Sequence, residues 1–435
     1  MSGDQARRLA ALVDHMLAVG VITRPEVAAA FRAVPRHLFL PNLPAEEVYR
    51  DEAIPTKLAD GRAISSSSQP AMMAIMLEQL DLAPGQRVLE IGAGTGYNAA
   101  LLGHLVGPTG RVVTLDIDDD LASAARDHLA AASSTNVQVI CADGGQGYAP
   151  GAPYDRLILT AGAWDITPAW YEQLNPGGRL VLPLQLSSGP QQSIAFDRTP
   201  PLVEPRFISR SARDCGFMPL RGAFAGPEVI TALGPEPGLE ITTSSAPAAP
   251  AGQIYDWLTS EATSRPTGLR ITEALAFGSL SQWVGLHAAN LATLSIDMEP
   301  TPDGGAASLF DRCPWLYEFR GRSAVRYANG LLAADGAAFL TRRLSDRLPA
   351  SDEAREQNDF ALDVLGYGPA GDRLGGQLVE LSLAWEAAGR PASSRLRVRV
   401  YGPDAPYDLA PGEVLVQKRC TRLVVDWPAA PVTSV

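Results

Sequence analysis

The chain alternates between short apolar runs and longer segments in which apolar residues recur at helical spacing. Five apolar runs, each ended by a turn or a polar residue, predict strands over 88–91, 111–116, 137–143, 155–160 and 179–183. Helical spacing between them predicts helices over 97–106, 119–131 and 168–174. Strands that alternate with helices favour a parallel sheet covered by helices on both faces. We therefore predict a doubly wound, Rossmann-like α/β domain over residues 81–230.

The flanking segments follow different patterns. Residues 4–34 have helical periodicity that breaks at Gly20, a loop is predicted over 49–70, and a helix over 71–80, so residues 1–80 form an N-terminal helical and substrate-loop segment. A stretch rich in Pro, Gly, Ser and Ala predicts a linker over 231–253.

Residues 254–435 are predicted to form a C-terminal α+β domain. Its expected helices lie near 271–291, 336–348 and 377–388, and its expected strands lie around 316–327, 395–401 and 423–427. In the strand over 395–401, arginines alternate with apolar residues, which indicates a solvated sheet face; a docking stripe for an acidic peptide is the alternative. We identify no repeat or chemical motif in this domain.

Composition narrows the function classes. With 435 residues, 46% of them hydrophobic, the chain has enough apolar material for two cores. No apolar run is long enough to cross a bilayer and no secretory signal is evident, so we expect a cytoplasmic protein. A net charge of −12 argues against a general nucleic-acid or anionic-membrane surface. The four cysteines and five histidines lack metal-ligand spacing, so we expect free buried thiols and no metal.

The run from Val88 to Ile91 is followed by three glycines at alternate positions, Gly92, Gly94 and Gly96. Glycines allow a sharp turn and a close backbone approach to a ligand. Dinucleotide-binding loops instead space their glycines as G-x-G-x-x-G. Alternate glycines preceded by Glu90 are the pattern of S-adenosylmethionine binders. A plain tight turn between strand and helix is the alternative interpretation.

Polar residues end the next three predicted strands. Asp116 lies twenty residues after Gly96, Asp143 and Gly144 end the third strand, and Thr160 ends the fourth. In doubly wound sheets, ligands bind at the carboxyl ends of the strands, and an acid after the second strand binds ribose hydroxyls. Each of these residues alone is typical of a turn or helix cap, but their joint placement predicts a nucleoside site.

Several longer motifs carry a more specific resemblance. They are VPRHLFLP (34–41), Ser68-Gln69-Pro70, VLEIGAGTGYNAALLG (88–103) and Phe217-Met-Pro-Leu-Arg-Gly222. On these motifs, residues 30–225 resemble the protein-L-isoaspartate O-methyltransferase family. The resemblance implies S-adenosylmethionine as methyl donor and a carboxylate of a peptide or protein as acceptor. Because that carboxylate is ionised at neutral pH and the sulfonium is an activated donor, neither a general base nor a metal is needed.

The resemblance also implies roles for residues. Glu90, Gly92 and Gly94 would lie near the methionine portion of the donor, Asp116 near the ribose, and Asp143 with Gly144 near the adenine. Ser68 would hold the acceptor carboxylate. The remaining predicted site residues are Gly96 and Thr160 for the donor, and Ser66, Ser67, Ile54 and Leu220 for the acceptor.

Two features depart from the family pattern. The loop from Pro55 to Pro70 is longer and contains four consecutive serines, so Ser65 competes with Ser68 for the catalytic assignment; a flexible linker or a helix N-cap is the alternative for these serines. The C-terminal domain is the second departure. Both features resemble actinobacterial relatives that methylate an aspartate in a cyclised, ribosomally made, lanthipeptide-like peptide.

We therefore predict a carboxyl methyltransferase acting on such a peptide, with the C-terminal domain available for peptide recognition. The methyl ester would close to a succinimide and open to isoaspartate. The main alternative is a repair enzyme that methylates isoaspartate in damaged proteins. A non-catalytic binding protein and a small-molecule methyltransferase fit the motifs less well. The oligomeric state is not predicted.

Overall fold

A computed structural model describes residues 1–59, 61–187, 189–235, 238–298, 313–320, 324–343 and 359–428. The chain forms two compact units. Unit 1 contains residues 1–184, 191–226 and the chain from Leu396 onward, whereas unit 2 contains residues 185–190 and 227–395. The division is therefore discontinuous in sequence, unlike the predicted boundaries.

Unit 1 is built on a mixed sheet with helices on its faces. Its helices are α1 (Gly3–Ala18), α2 (Pro25–Ala33), α3 (Ala45–Val48), α4 (Pro70–Leu80), α5 (Tyr97–Val106), α6 (Asp119–Ala131) and α7 (Pro168–Gln173). Its strands are β1 (Ile54–Ala59), β2 (Arg62–Ser67), β3 (Arg87–Ile91), β4 (Arg111–Asp116), β5 (Val137–Cys141), β6 (Tyr154–Leu159), β7 (Leu174–Leu184), β8 (Gln191–Arg198), β9 (Phe207–Cys215), β18 (Arg397–Tyr401), β19 (Val414–Gln417) and β20 (Arg422–Asp426).

The strand order is β19-β20-β18-β9-β8-β7-β6-β3-β4-β5, in which β5, β4, β3, β6 and β7 run parallel and the others antiparallel. The predicted doubly wound α/β architecture is confirmed. Strands β3, β4 and β6 are buried along most of their length because helices cover both faces of the sheet. The helices of residues 1–80 pack into the same core through side chains such as Phe31, Met73 and Leu77, so this segment is part of unit 1 rather than separate from it.

The region predicted as a loop over 49–70 contains an antiparallel hairpin. β1 pairs with β2 from Ile54 opposite Ser67 to Ala59 opposite Arg62. Three of the four consecutive serines therefore lie in a strand, and Ser68 follows it. Ser65 and Ser67 are buried in β2 and Ser66 between them is half-buried, so the flexible-linker interpretation is wrong for these three serines.

The segment from Leu396 onward belongs to unit 1, which corrects the predicted C-terminal domain of residues 254–435. β18 pairs with β9 on one side and with β20 on the other. Val398 and Val400 are fully buried, whereas Arg397 is exposed, so the predicted alternation of this strand is confirmed. Arg397 pairs with Asp426 on the neighbouring strand at 2.6 Å.

Unit 2 is a predominantly antiparallel α+β unit. Its helices are α8 (Ala251–Thr259), a π-helix (Leu275–Leu280), α9 (Ser281–His287) and α10 (Gly371–Ala387). Its strands are β10 (Val229–Ala232), β11 (Leu239–Thr243), β12 (Thr263–Ile271), β13 (Leu291–Asp297), β14 (Tyr317–Arg320), β15 (Ala324–Ala333), β16 (Gly336–Arg342) and β17 (Phe360–Tyr367). The main strand order is β10-β11-β13-β15-β16-β17-β12, and β14 pairs with β15.

Three further predictions need correction. The predicted linker over 231–253 contains β11 and contributes Leu239 and Ile241 to a buried core. The predicted helix over 336–348 is a strand as far as Arg342, and residues 344–348 lie outside the described residues. Of the cysteines expected to be buried, Cys141 is exposed and Cys420 is half-buried.

Candidate functional site: the carboxyl edge of the parallel strands

The glycine loop joins the end of β3 to the start of α5. The amides of Gly92 and Ala93 both donate to the carbonyl of Leu115, at 2.8 Å, which fixes the loop to β4. Gly92 has φ of +101°, and a Cβ built on it would lie 2.6 Å from Oγ1 of Thr160. Glycine is required here because a side chain would displace the Thr160 hydroxyl, which donates to the Gly92 carbonyl at 2.6 Å.

Asp116 lies at the carboxyl end of β4, beside this loop. Its Oδ2 accepts from the Gly94 amide at 2.9 Å, and its Oδ1 accepts from the Asp118 amide at 3.1 Å. Burial raises the pKa of this carboxyl, although the hydrogen bonds from the Gly94 and Asp118 amides act to lower it. A carboxylate has about four acceptor positions, so two bonds leave capacity for the hydroxyl groups of a ribose.

The sequence predicts Glu90 near the methionine portion of the donor, and that contact stays a prediction. The Glu90 carboxylate is fully buried; Oε1 accepts from Asn98 Nδ2 at 2.7 Å, and Oε2 accepts from the Thr114 hydroxyl at 2.6 Å. Burial raises the pKa of Glu90 to about 7, although the hydrogen bonds from Thr114 and Asn98 act to lower it. Glu90 thus joins α5 to β4 and supports the glycine loop from inside the sheet.

The other predicted donor residues also have structural partners. Asp143 Oδ1 accepts from the Gly145 amide at 2.9 Å and Oδ2 from the Ala223 amide at 2.8 Å, which links β5 to the segment after Gly222. The carbonyl of Gly144 accepts from the indole nitrogen of Trp170. Gly96 faces α6, where a Cβ would lie 3.3 Å from the Ala125 carbonyl oxygen, so its close contact is with a helix.

The serines of β2 lie over the glycine loop. A Cβ built on Gly94 would lie 3.7 Å from the Ser66 carbonyl oxygen and 3.9 Å from Ser65 Oγ. Ser65 is largely buried, and its hydroxyl accepts from Thr56 Oγ1 at 3.1 Å. Ser68 is half-buried and immediately precedes Gln69, the N-cap of α4. The structure therefore brings Ser65 and Ser66 to the donor loop, while the role of Ser68 stays a prediction.

Arg36 organises this segment and was not predicted as a site residue. Its side chain is fully buried, and its guanidinium donates to a set of backbone carbonyls at 2.8–3.4 Å, those of Val48, Arg50, Glu52, Ser67 and Ser68. Only a multidentate cation can satisfy so many acceptors at one point. An arginine beside His37 within the mainly apolar motif of residues 34–41 was the available sequence signal.

A second cluster missed by sequence reasoning is centred on Asp118, the N-cap of α6. Arg221 binds its carboxylate in bidentate fashion at 2.8 and 3.1 Å, and Lys57 Nζ on β1 binds it at 2.9 Å. The hydrogen bonds from Arg221, with those from Lys57, lower the pKa of Asp118 to about 2. The cluster thus joins the hairpin and the 217–222 segment to the end of β4.

The remaining predicted acceptor residues are less directly placed. Ile54 is buried in the unit 1 core and pairs with Ser67 across the hairpin. Leu220 is largely buried, and its amide donates to the Gly162 carbonyl at 2.8 Å. Both residues therefore support segments that border the site, and their contact with a substrate stays a prediction.

The model of the protein-L-isoaspartate(D-aspartate) O-methyltransferase family matches residues 7–224. A protein-L-isoaspartate O-methyltransferase of Ignicoccus hospitalis is 38% identical over 209 residues, which are 48% of this chain and 95% of that protein. The chain belongs to this family. The match ends shortly after Gly222, so it includes neither residues 227–395 of unit 2 nor strands β18 to β20.

Two solved structures of protein-L-isoaspartate O-methyltransferases are also similar to the chain. One is 21% identical with a TM-score of 0.46 and covers 90% of this chain and 95% of that chain. The other, from Plasmodium falciparum and bound to S-adenosyl-L-homocysteine, is 19% identical with a TM-score of 0.41 and covers 48% of this chain and 97% of that chain.

Family membership confirms the predicted enzyme class, an S-adenosylmethionine-dependent carboxyl methyltransferase. Within the described ranges, no group of three or more His, Cys, Asp or Glu side chains is arranged to hold a metal ion. None of the described helices is both long and apolar enough to cross a bilayer. The lanthipeptide-associated subtype stays a prediction.

Proposed function

We propose that this methyltransferase transfers the methyl group of S-adenosylmethionine to the free carboxylate of an isoaspartyl residue in a peptide or protein. The observation that carries the proposal is the position of β2, whose Ser65 hydroxyl and Ser66 carbonyl lie over Gly94 of the donor loop. Serine hydroxyl groups and a donor-binding loop are thereby held in one place, as carboxyl methyl transfer requires.

The described residues fit the donor. The three glycines of the loop from Gly92 to Gly96 all have positive φ, and without side chains they allow the methionine portion to approach the backbone closely. Asp116 retains acceptor capacity for ribose hydroxyls. Ile117, next to Asp116, is 38% exposed and offers an apolar surface to a flat base. When bound, the donor supplies an activated methyl group on a sulfonium.

The acceptor side needs positioning rather than proton transfer. The acceptor carboxylate is already ionised near neutral pH and attacks the methyl carbon directly, so no base has to remove a proton. In this proposal Ser68 donates a hydrogen bond to one carboxylate oxygen and leaves the other free to attack. Arg36 fixes the Ser67 and Ser68 carbonyls and so keeps that hydroxyl in place.

A second candidate is an aspartyl carboxylate in a cyclised, ribosomally made peptide. It is supported by the β1–β2 hairpin, whose long, serine-rich sequence departs from the usual family loop, and by the presence of unit 2. Methylation would make the aspartyl carbonyl more reactive. The following backbone nitrogen would attack it, methanol would leave, and hydrolysis of the succinimide would yield isoaspartate.

The test is methyl transfer to three acceptors, followed by mass spectrometry. We would incubate the full chain and S-adenosylmethionine with an isoaspartyl peptide, its aspartyl counterpart and a cyclised precursor peptide. Methylation of the isoaspartyl peptide supports the first proposal; methylation or loss of water on the cyclised peptide alone supports the second. Asp116→Asn serves as the donor-site control and should weaken S-adenosyl-L-homocysteine binding about tenfold or more. No methylation of any acceptor would contradict both proposals.

A further inference from the structure

The turn between β19 and β20, residues 418–421, lies against the loop that follows β6. Asp165 in that loop accepts from the Thr421 hydroxyl at 2.6 Å and from the Cys420 amide at 2.5 Å. Asp165 is itself 6% exposed, so these bonds are shielded from water. The turn is therefore held by a buried carboxylate rather than by loose surface contacts.

Lys418 places a cation at this contact. Its side chain is 5% exposed, and Nζ lies 3.1 Å from the centre of the Trp164 ring. Burial lowers the pKa of Lys418 to about 7, and the charge of Asp165 opposes that shift. A nearly buried ammonium on an indole face is a costly arrangement unless the surrounding groups are held in place.

Arg419 extends the contact to a second segment. Its Nη2 donates to the Ala223 carbonyl at 3.0 Å, and its guanidinium lies 4.7 Å from the centre of the Phe224 ring. The amide of Ala223 donates to Asp143 at the end of β5. One turn thus contacts both the loop after β6 and the segment after Gly222.

Both contacted segments border the donor loop. Thr160, at the start of the loop after β6, donates its hydroxyl to Gly92. Two residues on, the Gly162 amide donates to the Met218 carbonyl, and the Gly162 carbonyl accepts from Leu220. A displacement of Trp164 would therefore shift Gly162, which binds Leu220, and Thr160, which binds the glycine loop.

We propose that the 418–421 turn is a wall of the methyltransferase site and that Lys418 is a positioning residue for the acceptor side of that site. The charged Lys418 would hold Trp164 and Asp165, and thereby the Gly162–Leu220 contact, in the geometry that accepts a peptide. This inference rests on the proposed methyl transfer to a peptide carboxylate. It assigns an element outside the family match to the catalytic unit.

The proposal has a consequence for pH. Asp165 on the loop after β6 acts on the charge of Lys418, and Arg419 and Cys420 neighbour Lys418 on its own turn. Since the pKa of Lys418 is lowered to about 7, the charge that holds the loop is present below that pH and is lost above it. The acceptor carboxylate stays ionised across the same range, so it does not contribute to the change.

The experiment compares Lys418→Met, Lys418→Arg and the control Arg397→Met. Methionine keeps the apolar stem without the charge, and arginine keeps the charge at every pH. Arg397 also lies on the returning segment, but its partner is Asp426. On each full-length protein we would measure the KM for an isoaspartyl peptide at about pH 6.5 and pH 8.5, kcat, and S-adenosyl-L-homocysteine affinity.

We expect the wild-type KM to rise several-fold from the lower to the higher pH. Lys418→Met should show the high KM at both pH values, Lys418→Arg the low KM at both, and Arg397→Met should behave as wild type. kcat and S-adenosyl-L-homocysteine affinity should change less than about threefold. A wild-type KM profile in Lys418→Met, or an equal loss of donor affinity and kcat, would overturn the proposal.

A second measurement separates this inference from the proposed function. Hydrogen exchange at low pH should show weaker protection of the 162–167 amides in Lys418→Met than in wild type and Arg397→Met. That comparison requires no turnover. If the wild type methylates no peptide, the proposed function fails while the exchange data still decide the role of the turn; unchanged protection in Lys418→Met would then overturn it.

Discussion

Ser65 and Ser68 differ in what surrounds their hydroxyl groups. Ser65 Oγ lies by Gly94 and is largely buried, whereas Ser68 is half-buried and only its carbonyl is bound by Arg36. We predict that Ser65→Ala weakens S-adenosyl-L-homocysteine binding, and that Ser68→Ala lowers kcat with little change in that binding. Loss of one hydrogen bond to a charged group costs roughly 1.5–3 kcal/mol, or about ten- to a hundredfold.

The measurements are calorimetric titration with S-adenosyl-L-homocysteine and steady-state methyl transfer for each variant. Ser66→Ala is a matched control, since the atom it brings to Gly94 is a backbone carbonyl. A Ser65→Ala variant that loses kcat while Ser68→Ala behaves as wild type would reverse the two assignments.

Glu90 leads to a prediction about pH and stability. Its pKa is raised to about 7 in the folded protein from 4.5, so the folded state retains a proton that the unfolded state has lost. The stability that this proton provides is present below about pH 4.5 and is lost as pH rises through about 7. The shift corresponds to about 3 kcal/mol.

Glu90→Gln is neutral at every pH and nearly isosteric. The denaturant midpoint of Glu90→Gln should therefore increase relative to the wild-type midpoint as pH rises from about 5 to about 8. The exposed Glu46→Gln should not show this trend. Parallel pH profiles for wild type and Glu90→Gln would mean that the buried carboxyl is already ionised at low pH.

The sequence indicated some site residues better than others. Gly92 and Asp116 were predictable because the spacing of glycines and strand ends follows from the backbone geometry of the fold. The position of Arg36 depends on five carbonyls from two stretches, residues 48–52 and 67–68. The pairing of Asp118 depends on Lys57 and Arg221. Such contacts are set by tertiary packing, so no local pattern reports them.

At the scale of elements, the β1–β2 hairpin depends on few anchors. A two-stranded hairpin is marginally stable alone. Arg36 holds its end at Ser67, and Lys57 ties its other strand to Asp118 and Asp120 at 2.9 and 2.6 Å. Because β2 covers Gly94, release of the hairpin would open the donor loop.

We predict that Lys57→Met increases the dissociation rate of S-adenosyl-L-homocysteine about three- to tenfold, measured by stopped-flow displacement. The Lys57 ion pairs are partly exposed, so the difference from wild type should shrink as salt is raised. Arg32→Met, which removes an exposed ion pair to Asp14, is the control. If Lys57→Met releases the ligand at the wild-type rate in low salt, the hairpin does not gate the loop.

Elements were predicted most accurately where the hydrophobic period was unambiguous. α5 and α6 begin and end at the predicted residues. The wrong prediction at β16 has a physical reason. All seven of its residues are buried, and its apolar residues from Ala337 to Leu340 are continuous, so they show neither helical nor strand periodicity. The β1–β2 hairpin was missed because serines are typical of loops, and only the packing over Gly94 selects a strand.

At the scale of the whole molecule, the path of the chain was not predictable from composition. The stretch over 231–253 has the residue content of a linker, but Leu239 and Ile241 are fully buried in unit 2. Strands β18 to β20 follow unit 2 in sequence, and β18 pairs with β9 of unit 1. A local pattern identifies a strand, whereas its partner depends on contacts between residues that are nearly two hundred positions apart.

This return of the chain distinguishes two deletions that the sequence alone would treat as equivalent. Ending the chain after Gly226 would remove β18 to β20, leave one side of β9 unpaired and deprive Asp165 of Thr421 and Cys420. Replacing residues 227–395 with a flexible linker would keep all of these contacts.

We predict that the linker variant binds S-adenosyl-L-homocysteine within about threefold of the full chain, and that the truncated chain binds at least about tenfold more weakly or aggregates. Calorimetry and light scattering on both variants provide the measurement. Equal binding by the two variants would show that the donor site does not depend on the returning strands, and peptide selectivity in the linker variant would then report the contribution of unit 2 directly.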